Sequence, residues 1–111
     1  PSYYESAHAS IFASSCENCP NTLLEAMAAG VPLACSDRAP MPEFAGDAVV
    51  YFDPDDVHGI AKALREVLGN EQLRRSLARR QRTRARGFTW TRCSRATFAF
   101  LESIARDVAQ S

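Results

Sequence analysis

No apolar run in this sequence is long enough to span a bilayer, and no charged-then-apolar signal segment opens it. Nothing in it repeats, and no low-complexity linker divides it. Its four cysteines, at 16, 19, 35 and 93, lack the density of a disulfide framework. These absences argue against a membrane-spanning helix, a solenoid and a small secreted knot. They make a cytoplasmic setting with reduced thiols the expectation. A net charge is missing too, because 13 basic and 13 acidic residues cancel. The balance hides a division. Through Asn70 there are 3 basic and 10 acidic residues, about −7, and from Glu71 onward 10 basic and 3 acidic, about +7. With 111 residues the chain can bury one real core. It opens on Pro1-Ser2-Tyr3 with no Met, and we expect a segment of something longer.

Hydrophobic patterning then sets out the elements. "YYESAHA" reads as the end of a helix, and "SIFAS" (10–14) as a short strand. Residues 21–29, "NTLLEAMAA", are strong helix formers, and Gly30 is a natural stop. "VPLACS" (31–36) is a second strand, with Pro32 near its start, where a strand tolerates it. "DRAPMPEFAGD" predicts a loop with one helical turn, and "AVVYFD" (48–53) a third strand. Helices follow over 56–68, 71–86 and 90–108. The last places Trp90, Cys93, Thr97, Phe100, Leu101, Ile104 and Val108 along one stripe. Strands alternating with helices predict an α/β chain with a parallel sheet.

The stretch "SSCENCPNTLLEAMAAG" (14–30) holds two rival chemistries. Cys16 and Cys19 form a Cys-x-x-Cys pair before a helix, which suits a redox couple or half of a metal site. Glu17 and Glu25 offer carboxylates instead. In open parallel sheets ligands bind beyond the carboxyl ends of strands, where helices begin. Free first-turn amides there attract an anion such as a diphosphate. Asn21 is a candidate N-cap. A carboxylate at Glu25, one turn in, can accept two hydrogen bonds from a diol such as a ribose. Glu17, in the preceding loop, can reach a further hydroxyl.

"ENCPNTLLEAMAAGVPLACSD" resembles the donor-binding signature of retaining glycosyltransferases of the two-Rossmann-domain (GT-B) type, family 4. Seven residues separate the two glutamates, as in that signature, and the "EAMAxGxP" helix end follows. Downstream, "PMPEFAGDAVVYFDPDD" and "GFTW" (87–90) match further family stretches in the same order, so the resemblance covers nearly the whole chain. It implies the C-terminal part of a Rossmann-like domain ending in helices. Residues 1–89 would belong to the nucleotide-sugar-binding domain, and 90–111 would form a helix crossing back to an N-terminal acceptor domain. Glu25 would hold the nucleotide ribose, and Glu17, the catalytic candidate, a hydroxyl of the transferred sugar. The amides around Asn21, Thr22 and Leu23 would face the diphosphate. Asn18, Cys19 and Pro20 complete the substrate-binding stretch, where many relatives have glycines. The implied partners are a nucleotide-diphosphate sugar donor and the acceptor domain, with no metal, no cofactor and no nucleic acid. A peripheral membrane or lipid-linked acceptor at the inner membrane face, and self-association through the last helix, are compatible with it. The isolated segment would not catalyse transfer, because the phosphate clamp and the acceptor domain lie upstream.

Two alternatives stand beside this reading. The segment could serve as a non-catalytic nucleotide-sugar-binding or interaction module. It could also be a thiol oxidoreductase, although that layout needs a later antiparallel hairpin, and the sequence after Phe52 reads as helical. Cys35, Cys93, His8 and His58 are too scattered to complete a metal site. The two cysteines read as core fillers and the two histidines as ordinary helix residues. "RRSLARRQRTRAR" (74–86) could bind nucleic acid or an acidic membrane, but a solvated helix face pairing with the acidic half is the expectation.

Overall fold

The computed structural model describes residues 2–111. Helix α1 (Ser2–Ser6) leads into β1 (Ser10–Phe12), α2 (Asn21–Ala29) and β2 (Leu33–Ser36). Then come α3 (Met41–Ala45), β3 (Val50–Phe52), α4 (Val57–Gly69), α5 (Glu71–Ala85) and α6 (Trp90–Gln110). The three strands form one sheet in the order β1-β2-β3. Both pairings are parallel, with Ser10 opposite Leu33 and Ala34 opposite Val50. The expected α/β class and parallel sheet are what is found, and no antiparallel pair occurs among the described residues.

The strands are shorter than their apolar runs, because neighbouring backbone groups are engaged elsewhere. Val31 donates its N–H to Ala26 O, closing the end of α2, and Ala48 donates to Ala45 O in the turn after α3. Asp53 O accepts from Asp56 N at the entry to α4. At the other end of the first run, β1 stops at Phe12 and the chain turns into the loop that carries Cys16 and Cys19.

All four residues of β2 are buried, and their alternation splits the core in two. Leu33 and Cys35 join Leu23, Ala26 and Met27 of α2 and Met41 and Ala45 of α3. Ala34 joins Phe52, Ala63 and Val67 of α4 and Leu77 of α5. Burial pushes the Cys35 thiol up to about 12. Helix α5 spans both clusters, with Leu73 and Leu77 in the second and Ala85 against the first. Between them Gln81 is fully buried, and neither end of its amide has a hydrogen-bond partner.

Gly30 ends α2 in the left-handed region at φ 71°, donating its N–H to Met27 O. A Cβ there would lie 2.3 Å from Arg82 Nε, so this glycine also makes room for an α5 side chain. Other arginines of α5 behave similarly. Arg84 donates to Phe44 O and Glu43 O at the end of α3. Arg74 donates to Val67 O and Leu68 O at the end of α4, and Arg80 to Asp47 O. The expectation that these arginines pair with the acidic half is corrected. Their partners there are carbonyl oxygens, several at helix C-termini, where a cation complements the dipole. Among the described residues the one α5 carboxylate pair is Arg75 with Glu71, within the helix itself.

Asp56, Asn70 and Thr89 cap α4, α5 and α6, accepting from His58 N, Leu73 N and Arg92 N. Helix α6 buries no residue at all. Trp90 is 82% exposed, Phe98 70% and Phe100 64%. Cys93, expected as a core filler, is exposed for the same reason.

Candidate functional site

The loop after β1 and the start of α2 carry the candidate residues, at the carboxyl end of a parallel strand. Pro20 and Leu23 are buried and anchor this junction to the core. Glu17 is partly buried, whereas Asn18, Cys19, Asn21, Thr22 and Glu25 are exposed. Asn21 is corrected from N-cap to first helical residue. The cap position is Pro20, which supplies no side-chain acceptor. The backbone N–H of Asn21 is turned back onto Cys19 O at 2.9 Å. Its side-chain Oδ1 accepts from Cys19 Sγ at 3.6 Å. Of the three amides the resemblance points to, those of Thr22 and Leu23 are left without a side-chain cap.

Asn21, Leu24, Glu25 and Ala28 share one face of α2 and form one wall of a cleft of about 620 Å³. Phe44 of α3, with Phe88, Thr89, Trp90 and Cys93 around the start of α6, form the other wall, and Cys19 sits at its edge. Phe44 and Phe88 pack with ring centroids 5.3 Å apart, which holds the α5–α6 turn against α3. Glu25 is therefore a carboxylate at the rim of a mostly apolar cleft. Glu17 is not among the residues that line that cleft. "GFTW" was legible as a motif, but nothing in the sequence said that its Phe and Trp face Glu25.

A second polar group was missed. Arg38 follows β2 and donates to Asp37 at 2.9 Å, Asp53 at 2.8 Å and Asp55 at 3.1 Å. The hydrogen bond to Asp55, followed by the charges of Asp53 and Asp37, raises the guanidinium pKa. Asp37 and Asp53 end adjacent strands, so Arg38 ties the β2 and β3 exits together. Such exposed pairs contribute little to stability. Their signal in sequence, an "SDR" and a "DPDD" after two apolar runs, shows only once the strands are paired.

Cys16, Cys19 and Cys93 are free and exposed. Among the described residues no three His, Cys, Asp or Glu side chains come together as a metal-binding group. No described helix is long and apolar enough to cross a membrane.

Comparison with known proteins adds to this geometry. Over 97 residues the chain is 33% identical to an O-antigen chain mannosyltransferase B of Escherichia coli, covering 87% of this chain and 26% of that protein. The structure superposes on sucrose-phosphate synthase of Thermosynechococcus elongatus with a TM-score of 0.75 and 24% identity. That match covers 98% of this chain and 27% of the synthase, and it shows the GT-B fold. The chain thus spans about a quarter of the length of either protein. The family model of glycosyl transferases group 1 matches residues 1–84, from the start of the chain to the last turn of α5. The chain belongs to the group 1 glycosyl transferases.

Proposed function

We propose that this chain is the donor-binding part of a retaining, family 4 glycosyltransferase. It would take a sugar from a nucleotide-diphosphate donor, with residues 1–89 as the nucleotide-sugar portion and 90–111 as a helix crossing to an acceptor domain. The observation that carries the reading is the junction of β1 with α2. Glu17, two uncapped first-turn amides and Glu25 follow one another at the carboxyl end of a parallel strand. The roles divide by chemistry. Glu25 accepts hydrogen bonds from the ribose hydroxyls. The amides of Thr22 and Leu23 face the diphosphate, whose leaving oxygen gains negative charge as the sugar–phosphate bond breaks. Asn18, Cys19 and Pro20 set how near the loop backbone comes to the sugar. Glu17 meets a sugar hydroxyl and opposes the positive charge that develops on the ring. The reaction uses no metal in this reading and proceeds at the cytoplasmic side.

The likeness to an Escherichia coli mannosyltransferase supports a hexosyl donor. The wholly parallel sheet supports this reading over a thiol oxidoreductase.

The test is calorimetric titration of nucleoside diphosphates into the chain and its Glu25→Gln variant. The charged acceptor is worth about 1.5–3 kcal/mol, so the variant binds roughly 10- to 150-fold more weakly. Equal affinity for both removes Glu25 from the site. Glu17→Gln should leave nucleotide binding intact and lower transfer in a chain that carries an acceptor domain. The Cys16→Ser, Cys19→Ser double variant should keep that activity under reducing conditions.

A further inference from the structure

The thiols of Cys16 and Cys19 have no role in the donor site proposed above, yet the fold leaves both free and exposed, with only Glu17 and Asn18 between them. The loop that carries them is anchored at its two ends. On one side Phe12 of β1 pairs with Cys35 of β2. On the other Pro20 is buried, and its carbonyl accepts from Leu24 N at 3.1 Å as α2 begins. Between these anchors the backbone bends at Asn18 and Cys19. Among the described residues, 15–18 enter no backbone–backbone hydrogen bond. The loop's side-chain contacts are slight. Ser14 Oγ donates to Cys16 O at 3.2 Å, and Cys19 Sγ to Asn21 Oδ1 at 3.6 Å. A segment so loosely held can change shape without disturbing the strand before it or the helix after it. The other two thiols are placed differently. Cys35 is buried in the core, and Cys93 stands on α6, on the far wall of the cleft that Cys19 edges.

We infer that Cys16 and Cys19 form a reversible disulfide, closed by a small disulfide such as oxidised glutathione, and that this bridge sets the position of Glu17. Two intervening residues give each sulfur a higher effective concentration around the other than Cys93 or a second chain can offer. In the first step the Cys16 thiolate attacks one sulfur of oxidised glutathione. The glutathione S–S bond breaks, and one glutathione leaves as a thiolate that takes up the proton Cys16 has lost. In the second step the Cys19 thiolate attacks the Cys16 sulfur of the mixed disulfide. The second glutathione leaves and takes up the proton from Cys19. Two protein thiols are oxidised to one disulfide, and one glutathione disulfide is reduced to two thiols. Excess reduced glutathione runs the same steps backwards, and exposed disulfides are of the labile, regulatory kind. The chain is itself the substrate, so the change is stoichiometric and differs from the turnover of a thiol oxidoreductase. Closure holds the two Cα atoms within about 4.4–6.8 Å and draws Cys19 Sγ off Asn21. Glu17 and Asn18 lie inside the ring, so its closure fixes their backbone. Glu25 lies outside it, beyond buried Leu23. An effect of the bridge on sugar transfer rests on the donor-site reading; formation of the bridge does not.

The test equilibrates the 111-residue chain with glutathione buffers of rising disulfide fraction, quenches with acid, alkylates the remaining thiols and maps the products by mass. We expect the chain to become two hydrogens lighter, with the bridge between Cys16 and Cys19, and dithiothreitol to restore it. Cys93→Ser should move the half-oxidation ratio by less than about twofold. Cys16→Ser should carry glutathione on Cys19 instead of a bridge. Amide resonances of residues 15–21 should shift on oxidation, while those of Glu25 and of β1 to β3 stay in place. Glutathione adducts on both cysteines without a bridge overturn the inference, and so does a bridge to Cys93 or between chains. Shifts that spread through the sheet also overturn it, because closure would then need the fold to yield. No nucleotide enters these readouts, so their failure is separate from a failure of the donor-site reading.

Discussion

Helices α2 and α6 both carry an apolar stripe, and they meet opposite fates. Helix α2 buries Leu23, Ala26 and Met27 against the sheet. Helix α6, longer and the more amphipathic of the two, buries nothing and leaves Trp90, Phe98, Phe100 and Leu101 in solvent. Periodicity says that a helix wants a partner on one side; it does not say that the partner belongs to the same stretch of chain. In α2 the partner is the strand next in sequence. In α6 it is absent from the described residues, and the 59 Å long axis of the molecule reflects that separation.

The sharpest way to test the contrast is to truncate one side chain on each helix. Met27→Ala should lose about 2–5 kcal/mol, the range for emptying a well-packed site, read as a drop in the urea midpoint. A loss below 1 kcal/mol, roughly the scale of a surface change, would mean that α2 is not the anchored helix. The next largest effect should have the opposite sign. Gln81→Met keeps the size of a fully buried side chain but removes two polar ends without partners. It should raise stability by about 1–2 kcal/mol. A destabilised variant would show that Gln81 is satisfied by a group that the contacts do not reveal.

A smaller effect separates the two regions by pH. Cys35 and Tyr51 sit in the α2 side of the core, each with its pKa raised to about 12, chiefly by burial. In the unfolded chain these groups ionise from their ordinary values of 9.0 and 10.0, while the folded chain keeps them protonated to about 12. The stability they contribute is complete below pH 9 and is lost as pH rises from there through 12. Urea midpoints at pH 8 and about 11 should diverge, and less so in Cys35→Ala. At neutral pH a bulky thiol reagent should label Cys16, Cys19 and Cys93 but spare Cys35 until the chain unfolds. The smallest effect is expected from Phe100→Ala on α6, within about 0.5 kcal/mol. Amides of α6 should also exchange faster than those of β1 to β3. A Phe100→Ala loss equal to that of Met27→Ala, in a proven monomer, would break the comparison outright.

The sequence carried the element order because each strand is a compact apolar run and the helices keep their apolar periodicity, whereas the one cap read from it, Asn21, lies inside α2 and the caps at Asp56, Asn70 and Thr89 were not read at all. It overstated the strands, because capping bonds at 31 and 48 compete for the same backbone, and pattern alone cannot see that competition. At the site, the glutamate spacing and the helix start were legible. That only Glu25 of the two lines the cleft was not, since it depends on how the 13–20 loop turns. The arginines of α5 read correctly as a basic face. Their carbonyl partners could not be foreseen, because those belong to helix ends brought close only by the packing of α5 on α2 and α4.

Gly30 and Arg82 are far apart in sequence, yet one occupies the space that the other leaves. That makes history matter. A lineage that first shortened residue 82 would gain room above residue 30, but any side chain placed there would still have to adopt φ 71°. A lineage that first replaced the glycine would meet both obstacles together. Substitutions at this pair can therefore accumulate in one order and not the other, and tolerance at position 82 gives no licence at position 30.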